Sequence, residues 1–383
     1  MRILITDILF RKTFDIINII KSKHKDWTPI LCEHSGSVLS RLFTRLLYGS
    51  KIFRLRKLNY SVFEKDLRCL LDEFRDDRVI YLPIEEDTTL LLYEFVSKNS
   101  YSNLCFSLPE RRQFNITRNK KRTAEFCRQR SIPVPEEFKK EDIQKLRREF
   151  RPVVVKPRTG RGAEGLFYVN SPRQLRVLET MDWSECIVQE KIGNWNEVQG
   201  GFYLFDRGKL ISFYSHRRIR TYPPSGGVTV YSRLDCDEKI KELGESLLGN
   251  LDWSGLAMIE FLYDYRKEEY KVIEINPRLW GSFLLSEYSG AGFLRKYVET
   301  AVGHSVSEKG ETRGRVYIRW FFPFDLLNYF LSLGRIKGFW DLNTRHTCYI
   351  NFTYSRIWRS IVFLVYLNFG YLVALFKETF RLK

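Results

Sequence analysis

The chain has 383 residues, 44% of them hydrophobic and 15% aromatic, which suits two or three globular domains and excludes a disordered or low-complexity protein. Its 63 Lys and Arg against 46 Asp and Glu leave a formal charge of +17, which asks for an anionic partner: a nucleotide, an anionic membrane surface or nucleic acid. Seven cysteines (Cys32, Cys69, Cys105, Cys127, Cys186, Cys236, Cys348) without a C-x-x-C pair, and five histidines without metal-ligand spacing, argue against a zinc site and read as reduced thiols. The start, Met1-Arg-Ile-Leu-Ile-Thr-Asp7, breaks after four apolar residues, so no signal peptide is read and a cytoplasmic location is expected.

Residues 1–110 read as a small open α/β domain. Apolar strands are expected at Ile3–Thr6, Ile30–Cys32, Ile52–Arg54, Val79–Leu82 and Leu104–Phe106, with helices between them such as Thr13–Lys23 and Phe63–Phe74. The segment Val79–Asp87 sets carboxylates just past a strand end, where open α/β sheets place ligands. No G-x-G-x-x-G follows the first strand, so a dinucleotide fold is not supported.

A basic helix from Asn119 to Arg130 stops at Ser131-Ile-Pro-Val-Pro135, whose prolines cannot continue it. Strands follow at Pro152–Lys156 and Leu166–Val169, flanking the Gly-rich loop Thr159–Gly165, and then at Ile187–Gln189, Gln199–Phe205 and Lys209–His216. Lys156 closes an apolar strand beside T-G-R-G-A-E-G, where its ammonium can meet phosphate oxygens while loop amides cover them. The loop lacks G-K-S/T and a following helix, so it is a mobile hairpin lid, not a P-loop. Ile187–Gly193 runs from strand into a polar hinge (Glu190, Lys191, Ile192) able to hold adenine, with Glu197 placed to accept from ribose. Arg217, Arg218 and Arg220 precede the turn Pro223-Pro-Ser225-Gly226-Gly227; arginine forks bind carboxylates and phosphates, and a Gly-Gly turn lets a ligand approach the backbone. An RNA-binding patch is the competing reading of these arginines, weakened because aromatics are not interleaved with them.

The densest signal is the pair 255–264 (G-L-A-M-I-E-F-L-Y-D) and 270–282 (Y-K-V-I-E-I-N-P-R-L-W-G-S), two strands joined by a polar turn. A hairpin centred on residue 267 sets Glu260 opposite Glu274, with Asn276 on the same face, among Met258, Leu262 and Val272. Carboxylates in apolar surroundings need a cation, and hard oxygen donors without His or Cys favour Mg²⁺, which usually arrives with nucleotide phosphate. Two glutamates facing solvent on an ordinary hairpin would be the plainer alternative. Beyond residue 305 the chain is basic and aromatic-rich, with apolar stretches at Trp320–Leu333 and Ile361–Phe376. The latter, 16 uncharged residues with basic flanks, is short for a span and reads as a buried helix or one lying on an anionic inner-membrane face.

Taken in order, the basic helix, V-V-V-K-P, the Gly-rich loop, V-Q-E-K-I-G, and then E-F and E-I-N-P-R-L-W-G-S resemble the ATP-grasp superfamily over roughly residues 80–300, nearest its carbamoyl-phosphate-synthase-like and carboxylate–amine ligase branch. The resemblance implies an open α/β (pre-ATP-grasp) domain at 1–110, a two-subdomain ATP-grasp fold at 111–305 with its lid subdomain at about 135–195, and a C-terminal region at 306–383. It implies ATP with two Mg²⁺ ions, Mn²⁺ being able to substitute, held by Glu260, Glu274 and Asn276. Lys120 and Lys156 become the phosphate lysines, although Asn119 stands where Asp often precedes the first of them and leaves Lys121 in contention. Thr159, Gly160, Gly162 and Gly165 become lid contacts, and Glu190, Lys191, Ile192 and Glu197 the nucleoside contacts. Arg278 becomes the group that stabilises the transferring phosphoryl, with Lys156 beside it. Arg217, Arg218, Arg220, Ser225, Gly226 and Gly227 take the substrate side.

The implied reaction activates a carboxylate as an acyl phosphate for attack by an amine, on a small-molecule or peptide-like substrate. The alternatives are C–O ligation, kinase-like transfer, or a retired fold serving as a membrane or nucleic-acid binder. A homodimer is only the general default.

Overall fold

A computed structural model describes residues 1–34, 38–49, 51–57, 59–160, 165–193, 197–222, 228–306, 316–332, 334, 336, 339–340 and 347–349. It divides into two compact units, one formed by residues 1–106 with the described residues from Tyr317 onward, the other by Ser107–Val316. The stretch from 306 was expected to stand apart; from Tyr317 it groups with the first unit.

The first unit is built on five parallel strands, β1 (Arg2–Ile5), β2 (Thr28–Glu33), β3 (Ile52–Arg54), β4 (Val79–Tyr81) and β5 (Leu104–Cys105), in the order β3-β2-β1-β4-β5. Each is a short apolar run, as a sheet covered on both faces requires. Helices Arg11–Lys23, Val38–Tyr48, Tyr60–Glu73 and Glu86–Lys98 intervene. Of the carboxylates past β4, Glu85 is not open to a ligand, while Glu86 is half-buried and Asp87 exposed. Glu85 is buried against Lys12 at 2.7 Å, and Lys12 also donates to the Ile84 carbonyl. From the C-terminal segment, Trp320 donates to Asp15 at 3.1 Å and the buried pair Arg319–Asp325 closes at 2.6 Å. The expected apolar stretch here contains helix Leu326–Leu331; Ile361–Phe376 lies outside the described residues.

The second unit carries two antiparallel sheets. Strands β6 (Glu137–Phe138), β7 (Val153–Pro157), β8 (Phe167–Val169) and β9 (Cys186–Glu190) form the smaller, in the order β6-β9-β7-β8. The larger contains β10 (Gln199–Asp206), β11 (Lys209–Tyr222), β12 (Val228–Asp235), β13 (Gly255–Asp264) and β14 (Glu269–Asn276), in the order β14-β13-β10-β11-β12. One face of this sheet buries helix Glu238–Asn250 through Ile240, Leu247 and Leu248 against Tyr203, Phe205, Phe261 and Val272. Asp237 caps that helix by accepting from the amides of Lys239 and Ile240. Each buried aliphatic side chain contributes roughly 1.5–3 kcal/mol. The opposite face carries the polar groups described next. All seven cysteines are free thiols. Among the described residues no helix is long and apolar enough to cross a membrane.

Candidate active site

The polar face of the larger sheet is organised by one bulge. From the β13–β14 turn the pairs run regularly from Asp264–Glu269 to Phe261–Val272, then the register shifts by one residue. Ile273 is the extra residue, and the shift is what sets Glu260 opposite Glu274. The expected pairing is therefore present, but a regular hairpin would have set Glu260 against Ile273. Val272, expected beside the carboxylates, falls on the helix-covered face instead. Ile273 takes its place, packed with Ile192, Val198 and Leu262.

Two rows cross the sheet on the carboxylate side. Glu274, Glu260, Gly200 and His216 form the first, and Asn276, Met258, Phe202 and Tyr214 the second. Phe202 stacks on Tyr214 and Trp280 and meets His216 edge-on, an apolar floor that leaves Glu260 only 5% exposed. A side chain at Gly200 would strike His216 Nε2 at 2.9 Å, so glycine is required for the rings to lie across that strand.

Four cationic side chains surround the carboxylates. Arg218 reaches Glu260 Oε1, and Lys120 Nζ sits 3.2 Å from Glu274 Oε2 and 3.4 Å from the Gly160 carbonyl. Arg278 donates to Asn276 Oδ1 at 2.9 Å, and Asn276 donates to Glu274 Oε1 at 3.2 Å. Lys156, buried at the end of β7, donates to Gln189 Oε1 at 3.2 Å. Burial pulls the Lys156 ammonium down to about 8, with Glu274 and Glu260 opposing that and Lys120 adding to it. Burial also raises the Glu260 carboxyl above its ordinary value, with Arg218 opposing and Glu274 reinforcing. Burial pushes Glu274 the same way, yet Lys120, Asn276 and Lys156 together hold it below its ordinary value. Their surroundings thus move the two carboxyls in opposite directions, Glu260 upward and Glu274 downward.

The donor set suits a hard divalent cation. It consists of two carboxylates and an amide oxygen, and the buried Glu260 Oε2 has no hydrogen-bond partner among the described residues. No group of three His, Cys, Asp or Glu gathers among the described residues. A cation here would therefore draw its remaining ligands from water or phosphate.

Beside the carboxylates runs a narrow slot lined by Val154, Leu166, Tyr168, Ile192, Leu262 and Ile273, with Lys156 among its walls. Its hinge differs from expectation in one respect. The Glu190 side chain is bound to Lys271 at 2.7 Å and Arg266 at 2.9 Å and accepts from the Glu136 amide, so it is structural. The amides of Glu190 and Lys191 are also taken, by the carbonyls of Glu136 and Pro152. Lys191 turns to Asn170, just past β8, and to the Tyr168 ring on β8. Glu197 lies against Gly193, where a Cβ would meet its Oε2 at 2.5 Å.

Lys120, not Lys121, enters the site. Asn119 accepts from the amides of Lys121 and Arg122 and starts the helix Lys120–Arg128, while the Lys120 amide donates to the Arg158 carbonyl. Of the lid, exposed Thr159 and Gly160 are described, and Gly165 has a φ of +71° with Pro157 only 2.8 Å from where a Cβ would sit. Gly162, Ser225, Gly226 and Gly227 lie outside the described residues. Alternation along β11 separates the three arginines. Arg217 ion-pairs with Asp235 at 2.6 Å, away from Glu260, which corrects its grouping with Arg218. Arg220 lies over the Tyr231 ring.

Gln189, Ile273 and Gly200 escaped the sequence reading. Gln189 was findable only from the β7–β9 register, which pairs Lys156 with Ile187 and so places Gln189 on the same face as the lysine.

Residues 117–282 match the family model of the ATP-grasp domain. Among solved structures, biotin carboxylase from Campylobacter jejuni superposes with a TM-score of 0.62 at 16% identity, over 82% of this chain and 74% of that one. N5-carboxyaminoimidazole synthetase from Staphylococcus aureus gives 0.62 at 15% identity, over 88% and 86% of the two chains. N5-carboxyaminoimidazole ribonucleotide synthetase from Thermus thermophilus gives 0.60 at 13%, over 83% and 82%. Identities this low establish a shared fold alone. No curated protein matches the chain.

Proposed function

We propose that the ATP-grasp domain this chain carries at residues 117–282 works as an ATP-dependent ligase, joining a carboxylate to an amine through an acyl phosphate. The observation that carries the reading is the Glu274–Glu260 row with Asn276, ringed by Lys120, Lys156, Arg218 and Arg278 beside an apolar slot. The slot's apolar walls suit an adenine ring, although at about 20 Å³ it must widen to admit one, with Ile192 at its hinge and Glu197, against Gly193, on the ribose side. Lys120 and Lys156 suit the phosphates, under a lid that includes Thr159, Gly160 and Gly165. Glu260, Glu274 and Asn276 would hold Mg²⁺, which when bound neutralises terminal phosphate oxygens. The solved relatives include a biotin carboxylase complexed with a β,γ-ATP and an N5-carboxyaminoimidazole synthase complexed with ADP, which supports a nucleotide here.

A carboxylate is a poor acyl donor because oxide leaves badly. Attack of its oxygen on the terminal phosphorus releases ADP and makes phosphate the new leaving group. The amine then attacks the acyl carbon, phosphate departs and the amine loses a proton. The protein's part is chiefly alignment and charge neutralisation. Arg278, tied to Asn276, and Lys156 are placed to absorb charge as it spreads over the phosphoryl. Arg218 holds Glu260 in line and takes the substrate side alone among the three arginines, since the register shift at Ile219 pairs Arg220 with Tyr231.

The test is ADP release from purified protein over panels of carboxylates and amines, with Glu274→Ala as control. Turnover requiring both substrates and lost in the variant is expected. Undiminished turnover in Glu274→Ala would overturn the reading.

A further inference from the structure

The first unit holds a second cationic site, separate from the residues assigned to nucleotide. At the carboxyl ends of β2 and β3, Glu33 and Arg54 lie side by side in parallel register. The helix Val38–Tyr48 brings Arg41 and Arg45 one turn apart on a single face, with buried Thr44 between them donating to the Arg41 carbonyl. Gly49, at φ +58°, ends the helix with its amide on the Arg45 carbonyl and turns the chain back into Lys51. Together these residues line a cavity of about 550 Å³.

The charge around this cavity does not balance. Neighbouring cations are matched: Arg56 by Asp66 at 2.7 Å, Lys57 by Asp7 at 2.5 Å, and Lys51 by Glu73 at 2.5 Å. Arg41, Arg45 and Arg54 have no ion pair among the described residues, and the single carboxylate of the lining, Glu33, is only 3% exposed. Two like charges at i and i+4 cost a helix roughly 0.2–0.5 kcal/mol, and a third on the facing strand adds to it. A multivalent anion relieves that repulsion. Planar guanidinium forks converging from a helix and a strand suit tetrahedral or paired oxygens better than a lone carboxylate. The cavity lies at the carboxyl ends of β2 and β3, the end of an open parallel sheet that holds ligands, though to one side of the switch point between β1 and β4.

We propose that this cavity binds a phosphate-bearing ligand between Arg41, Arg45 and Arg54. Phosphate of this kind belongs to a soluble phosphate ester or to a lipid headgroup. Leu42 and Leu46, 53% and 47% exposed on the same helix, would meet acyl chains in the second case.

Calorimetry on the full chain with inorganic pyrophosphate, repeated with saturating Mg²⁺-ATP to fill any other phosphate site, tests the proposal. Arg41→Ala/Arg45→Ala is expected to bind pyrophosphate at this site about tenfold or more weakly, with Mg²⁺-ATP binding and melting temperature unchanged. Arg54→Gln, a single exposed change, should weaken it in the same direction and decides the matter if the double variant folds poorly. Sedimentation with phosphatidylglycerol-containing phosphatidylcholine vesicles separates the sources. Arginine-dependent co-sedimentation that pyrophosphate reverses identifies a headgroup, and pyrophosphate binding without vesicle binding identifies a soluble ester. Wild-type protein that binds neither probe, or arginine variants that bind as wild type does, would overturn the proposal.

Discussion

Lys120 and Lys121 are adjacent and chemically identical, yet it is Lys120 whose ammonium sits beside Glu274. The Asn119 cap fixes the helix start so that Lys120 projects toward Glu274 and the Gly160 carbonyl. Lys120→Ala is therefore expected to weaken Mg²⁺-ATP binding about tenfold or more, the scale of one charge-assisted contact, while Lys121→Ala changes it little. Equilibrium titration of both variants checks this, and equal losses would contradict the assignment. Reading the carboxylates as a pair rests on a hairpin centred on residue 267; the actual turn pairs Asp264 with Glu269, and the pairing holds only because the register shifts by one residue before Glu260. What the sequence hid was the bulge at Ile273, since an extra residue in a strand has no compositional mark and shows only in the register. Arg217 was grouped with Arg218 for a similar reason: a run of arginines reads as one patch until strand alternation sends one of them to Asp235.

At the scale of elements, the helix Glu238–Asn250 is held to the larger sheet where Tyr203 passes beneath Gly244. A Cβ at Gly244 would lie 2.1 Å from the Tyr203 ring. Gly244→Ala, which favours an isolated helix by about 1 kcal/mol, is expected to destabilise this protein by roughly 1–3 kcal/mol through overpacking. Chemical denaturation would show it, and a stabilised variant would contradict the packing. The two sheets of the second unit are joined by an ion cluster. Lys271 bridges Glu190 and Asp264 at 2.7 and 2.9 Å, with Arg266 outside them. Burial opposes ionisation of Asp264, but Lys271 and Arg266 hold it at about 2. A carboxyl depressed on folding contributes stability above its ordinary value, near 4, and that contribution is lost as pH falls toward 2. Lys271→Met should cost about 3 kcal/mol at neutral pH by stranding buried carboxylates. It should also flatten the fall in stability between pH 4 and 2. An unchanged acid limb would count against the cluster.

Across the whole molecule, the sequence was most legible where structure is local. The five short strands of the first unit and the hairpin of the second stand close to where their apolar runs and turns put them. Strand β12 and the helix Glu238–Asn250 were not anticipated, nor was the length of β11, whose arginine-rich second half carries little strand signal until β12 pairs with it. The site was legible as residue types and spacing, while its lining was not. Gln189, Gly200 and Ile273 matter only through what the fold sets opposite them. The excess of positive charge is spread between the units, ringing the carboxylates in one and a separate cavity in the other.

The most direct measurement is calorimetry of ATP binding with and without Mg²⁺, comparing wild type with Glu260→Ala/Glu274→Ala. Removing the paired carboxylates should abolish the Mg²⁺-dependent part of the affinity while leaving the protein folded. Wild-type protein that binds ATP no better with Mg²⁺ than without, or a double variant that keeps the full Mg²⁺ effect, would contradict the account.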